Sequence, residues 1–60
     1  MNEKTFAKLV KSKRKKLGLT QSAFAKHIGK SWITVWRWEN IKNPPKNDAI
    51  EFWAKKIKDL

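Results

Sequence analysis

The sequence predicts an all-α fold of four short helices around one core. Apolar residues recur at helical spacing in four separate stretches, and glycine or proline divides each stretch from the next. No alternating strand pattern, internal repeat or low-complexity linker interrupts them. Sixty residues suit a single domain, 1–60, and a chain this small buries only about 60% of the surface it exposes when unfolded.

Helix one is expected from Glu3 to Leu17, with Phe6, Leu9, Val10 and Leu17 on one face and Lys8, Lys11, Lys13, Arg14, Lys15 and Lys16 over much of the remainder. Asn2 or Thr5 offers the N-cap, Glu3 suits the positive end of the helix dipole, the late basic residues suit its negative end, and Gly18 stops it. Helix two is expected at about 20–27, capped by Thr20 and carrying Phe24 and Ala25, with Ile28 continuing their spacing. Gly29 can take the positive φ of a tight turn, and Ser31 can cap helix three, expected at about 31–40, where Val35 and Trp38 extend the apolar face. The stretch IKNPP then breaks the pattern, because Pro44 and Pro45 cannot sit in a helix interior. Asn47 offers the next N-cap, Asp48 and Glu51 suit the first turn, and Ile50, Trp53, Ala54 and Ile57 form the stripe of helix four, which reaches almost to Leu60. The expected core is Phe6, Leu9, Val10, Leu17, Leu19, Phe24, Ala25, Ile28, Val35, Trp38, Ile50, Trp53, Ala54 and Ile57.

Composition narrows the function. Fifteen Lys and Arg face five Asp and Glu, a formal charge of +10 that suits a polyanionic partner. With no cysteine and one histidine, neither a disulfide scaffold nor a zinc site is expected. His27 reads as a surface or capping residue. No Gly-rich phosphate loop and no grouping of nucleophile, base and acid is evident, so no enzyme activity, cofactor or small-molecule substrate is expected. No run approaches the roughly 18 apolar residues of a membrane span, and no apolar stretch follows the basic N-terminal region. A cytoplasmic, nucleoid-associated location is the expectation.

Two short helices joined by a glycine turn, LTQSAFAKHIGKSWITVWRWE at Leu19 to Glu39, are the pattern of a helix-turn-helix that reads double-stranded DNA. The segment VKSKRKKLGLTQ at Val10 to Gln21, and WRWEN with Pro45 six residues beyond Glu39, resemble the Cro/cI repressors of bacteriophages, the XRE-type helix-turn-helix family, and the likeness covers most of the chain. That resemblance implies a lambda-repressor-like domain of four or five helices, helix three in the major groove and a homodimer on a near-palindromic operator in a bacterial host cell. It also implies that Gln21 binds a phosphate and that Arg14 pairs with Glu39. The chain departs from the family at Ile41, where glycine is usual, so Asn40 is expected to take the left-handed cap conformation.

With Ser31 as cap and Val35 and Trp38 inward, Trp32, Ile33, Trp36 and Arg37 point outward and become candidate base readers, with Thr34 available to base or phosphate. Arg37 can contact guanine with two hydrogen bonds, and Ile33 and Trp32 can pack on thymine methyl groups. Trp32 and Trp36 can instead cover the core edge, as aromatics at helical spacing often do. Lys30, Ser31, Asn40, Lys42 and Lys46, near the two ends of helix three, join Gln21 as candidate phosphate ligands. Phe52 and Leu60, outside the stripe of helix four, are candidate dimer contacts. A Cro-like repressor that occludes promoters is the leading expectation. An antitoxin or excisionase-like DNA-binding factor, or a protein-interaction module using the Trp-rich helix three, are the alternatives.

Overall fold

The computed structural model describes residues 1–42 and 45–60, and of residues 47 and 48 the backbone alone. The helices are α1 (Glu3–Lys16), α2 (Gln21–Ile28), α3 (Trp32–Glu39) and α4 (Asn47–Lys58). Helix α3 packs against both α1 and α2, and α4 closes the other side of α1. Phe6, Val10, Phe24, Ala25, Val35, Trp38, Ile50, Ala54 and Ile57 form one buried cluster, with Leu9, Leu19, Ile28 and Trp53 half-buried against it. Trp38 joins α3 to α1 and α4, meeting Phe6 edge to face at 5.2 Å and Trp53 at 5.4 Å between ring centroids. No helix among the described residues is long and apolar enough to cross a membrane.

The caps show why each helix begins and ends where it does. Asn2 Oδ1 accepts from the Thr5 N–H at 2.8 Å, and Thr20 Oγ1 accepts from the Ala23 N–H at 3.1 Å, each satisfying a donor of a first turn. The first three helices end by the same device. The N–H groups of Leu19, Lys30 and Lys42 donate back to the carbonyls of Arg14, Ala25 and Arg37 at 3.1, 2.8 and 2.7 Å, and the residue before each donor is left-handed: Gly18 at φ 69°, Gly29 at φ 75° and Ile41 at φ 56°.

Several sequence expectations are corrected. Asn40 is not the left-handed residue: its φ is −102°, because α3 ends at Glu39 and the backward bond of Lys42 fixes the reversal at Ile41. Leu17 is not core but 40% exposed, since α1 stops at Lys16 and the turn at Gly18 sends Leu19 inward instead. Ala7 is buried beside Phe6 and Val10, a small residue that the apolar stripe omitted. Ser31 precedes α3, but its hydroxyl makes no cap hydrogen bond and meets Thr34 Oγ1 at 3.2 Å. The N-cap of α4 is Lys46, not Asn47, which is the first helical residue. The expected roles of Pro44 and the Asp48 side chain fall outside the described residues.

Beneath the turn after α1 lies a largely buried ion pair. Arg14 Nε donates to Glu39 Oε2 at 2.7 Å and Arg14 Nη2 to Glu39 Oε1 at 3.0 Å, a two-pronged contact, while Arg14 Nη1 donates to the Leu19 carbonyl at 3.1 Å. Only 4% of the Glu39 side chain is exposed. The hydrogen bond to Glu39 raises the pKa of Arg14 above its ordinary value, against the opposing effect of burial. At the far side, the N-terminal ammonium donates to Glu51 Oε1 at 2.6 Å and ties the chain start to α4.

Two stability experiments follow. Arg14→Ala or Glu39→Ala alone should each cost about 3 to 5 kcal/mol in urea unfolding, because each leaves a buried charge without its partner. The double variant should cost clearly less than the sum, and strict additivity would mean that the two residues do not act as a pair. Ile41→Gly should raise the thermal midpoint. Left-handed backbone costs a residue with a Cβ about 1 to 2 kcal/mol, and glycine's greater freedom in the unfolded chain takes back about 0.5 to 1 kcal/mol of the gain. A lowered midpoint would show that the apolar surface Ile41 covers outweighs its strain.

Candidate nucleic-acid interface

The outer surface of α3 is built by spacing. Burial of Val35 and Trp38 turns Ile33, Trp36, Arg37 and Asn40 to the opposite side, at i, i+3, i+4 and i+7, the separations that form one row on a helix. Ile33 is half-buried, whereas Trp36, Arg37 and Asn40 are exposed. Eight residues make a rod about 12 Å long, and with side chains an α-helix is about 10 to 12 Å across, a diameter that a major groove about 12 Å wide admits. Among the described residues the Arg37 guanidinium enters no ion pair, so its donors are available to an outside acceptor.

Trp32 stands apart from that row. It lines an open groove between the starts of α2 and α3 with Thr20, Ser22, Ala23, Lys26, Lys30 and Ser31. Trp32 is 53% exposed and Trp36 38% exposed, so neither indole is buried in the core, although Trp36 keeps the larger part of its surface covered. Thr34 is half-buried, with its hydroxyl against Ser31.

The candidate phosphate ligands ring α3 with different degrees of freedom. Gln21 is half-buried at the first position of α2, and its Nε2 donates to Glu39 Oε1 at 3.3 Å. This hydrogen bond ties the side chain to the buried ion pair, and the second amide hydrogen remains for another acceptor. Lys30 places its ammonium 4.9 Å from the centroid of the Trp53 ring, a cation–π contact with α4. Asn40 turns back on its own helix, Nδ2 donating to the Trp36 carbonyl at 2.9 Å, which leaves its amide oxygen as an acceptor. Lys42 and Lys46 are exposed at the two ends of the α3–α4 connection. Lys26, on the groove beside Trp32, was missed from the sequence; its place one turn before Gly29 offered no signal beyond charge.

The arrangement therefore presents a short aromatic helix with Arg37 on its outer side, framed by amide and ammonium donors and anchored from behind by a charged pair. Comparison with protein-family profiles, with curated proteins and with solved structures finds no match.

The burial pattern makes a direct prediction for the tryptophans. Trp32→Ala should leave the unfolding free energy within about 0.5 kcal/mol of the parent chain, as exposed positions do, Trp36→Ala should cost an intermediate amount because part of its indole is covered, and Trp38→Ala should cost about 3 to 5 kcal/mol. Equal losses at the three positions, measured by circular dichroism during urea unfolding, would contradict the division between surface and core.

Proposed function

We propose that the chain is a sequence-specific regulator that binds double-stranded DNA, with α3 in the major groove, in the manner of a Cro-type phage repressor. The observation that carries this reading is the outward row of Ile33, Trp36 and Arg37 on a helix whose inner side is fixed by Trp38 and Glu39. A rigid helix with exposed readers is what base recognition needs, since register must hold within a fraction of an ångström for paired hydrogen bonds to form.

Arg37 reads guanine in this scheme, and Trp32 and Ile33 pack against thymine methyl groups, with Thr34 and Trp36 at adjacent bases. Gln21, Lys30, Ser31, Asn40, Lys42 and Lys46 hold phosphates and set the register. For Lys30 this requires the ammonium to leave Trp53 or to serve both, a modest demand on a long side chain. One such unit makes few base contacts, so two copies on a near-palindromic operator would supply affinity and specificity together. Phe52, 56% exposed and stacked edge to face on Trp53, and Leu60 are the surfaces offered for pairing. Promoter occlusion within the cytoplasm of a bacterial host is the corresponding mechanism.

A second reading is favoured by the exposure of Trp32 and Trp36: two surface indoles beside an arginine are also typical anchors of a protein interface. Selection from a randomised duplex library separates the two. A short two-fold-symmetric consensus is expected, with Arg37→Ala lowering affinity for it by about 1 to 3 kcal/mol and relaxing preference at one position per half-site. Enrichment of no sequence would remove base reading and leave the indole surface for a protein partner.

A further inference from the structure

We propose that the outward face of α1 is a second contact for the phosphate backbone, gripping the duplex beside the groove that α3 occupies. The proposal rests on the DNA-binding reading above. Lys4, Lys8, Lys11 and Lys15 succeed one another at i, i+4, i+7 and i+11, which places them in a single row, and all four are exposed. At 1.5 Å per residue the row runs about 16 Å. Among the described residues the ion pairs are those of Arg14 with Glu39 and of the N-terminus with Glu51, so no member of the row is paired.

Apart from Lys15, which suits the dipole in the last turn, the row does nothing for the helix. Like charges at i+3 and i+4 destabilise a helix, and here they recur along its whole length. Lys4 also stands in the first turn, where the dipole disfavours a cation. Solubility would be served better by charges of both signs. A repeating anion outside the chain would turn each of these repulsions into an attraction.

Position selects the anion. A groove with Lys4, Ala7, Lys8 and Lys11 on one side and Glu39 and Ile41 on the other joins the row to the exit of α3, and Lys42 follows Ile41 directly. The lysine row therefore lies across one groove from the end of the proposed reading helix. Lysines are flexible point charges suited to backbone contact without base discrimination, and the matching ligand is the sugar-phosphate strand flanking the site that α3 reads.

The test compares two variants of the full chain that lose equal charge. One carries Lys4→Gln, Lys8→Gln, Lys11→Gln and Lys15→Gln; the other carries Lys16→Gln, Lys55→Gln, Lys56→Gln and Lys58→Gln, which lie off the row. Binding to a duplex several turns long is followed by fluorescence anisotropy between about 50 and 200 mM salt. The row variant should show a log–log salt slope shallower by about 3 to 4, at about 0.9 for each phosphate it no longer neutralises. Its order of preference among sequences should be retained, and its thermal midpoint should be no lower than that of the parent chain, because the repulsion along α1 is relieved. The control should change in slope by less than about 1, the amount that one neutralised phosphate contributes. Equal slopes for the two variants would overturn the α1 grip while leaving DNA binding intact, and absence of duplex binding by the parent chain would overturn both.

Discussion

The geometry of this domain depends on one charged pair. Arg14 closes the end of α1, Glu39 is the last residue of α3, and Gln21 opens α2, so a carboxylate on α3 collects donors from both α1 and α2. Burial of Val35 and Trp38 sets which side of α3 faces inward, but a core this small leaves some play in the rotation of the helix about its axis. The two-pronged guanidinium narrows it, because its planar donors match a carboxylate in only a narrow range of orientations. Such a pair adds little net stability over an apolar substitute, since both ions lose water. Its value lies in orientation: the hydrogen bonds that hold Glu39 inward reinforce the burial that turns Trp36, Arg37 and Asn40 outward.

The repeated helix ending has a related effect. Each backward bond to Arg14, Ala25 or Arg37 stops a helix within one residue and reverses the chain, so the helices stay short and the connections tight. At Gly18 and Gly29 this is visible in the sequence, because only glycine enters the left-handed region without cost. Nothing local marks Ile41. The register of its turn follows from where α3 ends, which is set by the reach of Glu39 to Arg14, a contact across 25 positions of sequence. A strained Ile41 is the consequence of holding that end in place.

The same distinction explains what the sequence disclosed of the candidate interface. The four helices, most of the core and the outward row of α3 follow from 3.6-residue periodicity, which local pattern carries in full. The state of individual side chains does not. Lys30 over Trp53, Asn40 on the Trp36 carbonyl and Gln21 on Glu39 each depend on where a neighbour falls after packing or on a choice between competing partners. Leu17 failed for a subtler reason: it satisfies the periodicity of α1 but lies past the point where the chain leaves the helix.

Charge completes the account. Glu39 is used internally to orient α3, and Glu51, though exposed, is paired with the N-terminal ammonium, so neither neutralises a lysine or arginine of the outer surface, on which most of the fifteen cationic side chains lie. A small domain with a formal charge of +10 repels itself, and that repulsion opposes compaction. Binding to a polyanion reverses the sign of the term, because each phosphate neutralises a charge that folding alone leaves unopposed. Any ligand selective for the folded chain also raises its stability by mass action. The surface that weakens the isolated fold is thus the surface that a phosphate backbone would strengthen, and folding stability and affinity should both respond to salt, in opposite directions: added salt screens the self-repulsion of the free domain and weakens its hold on a polyanion.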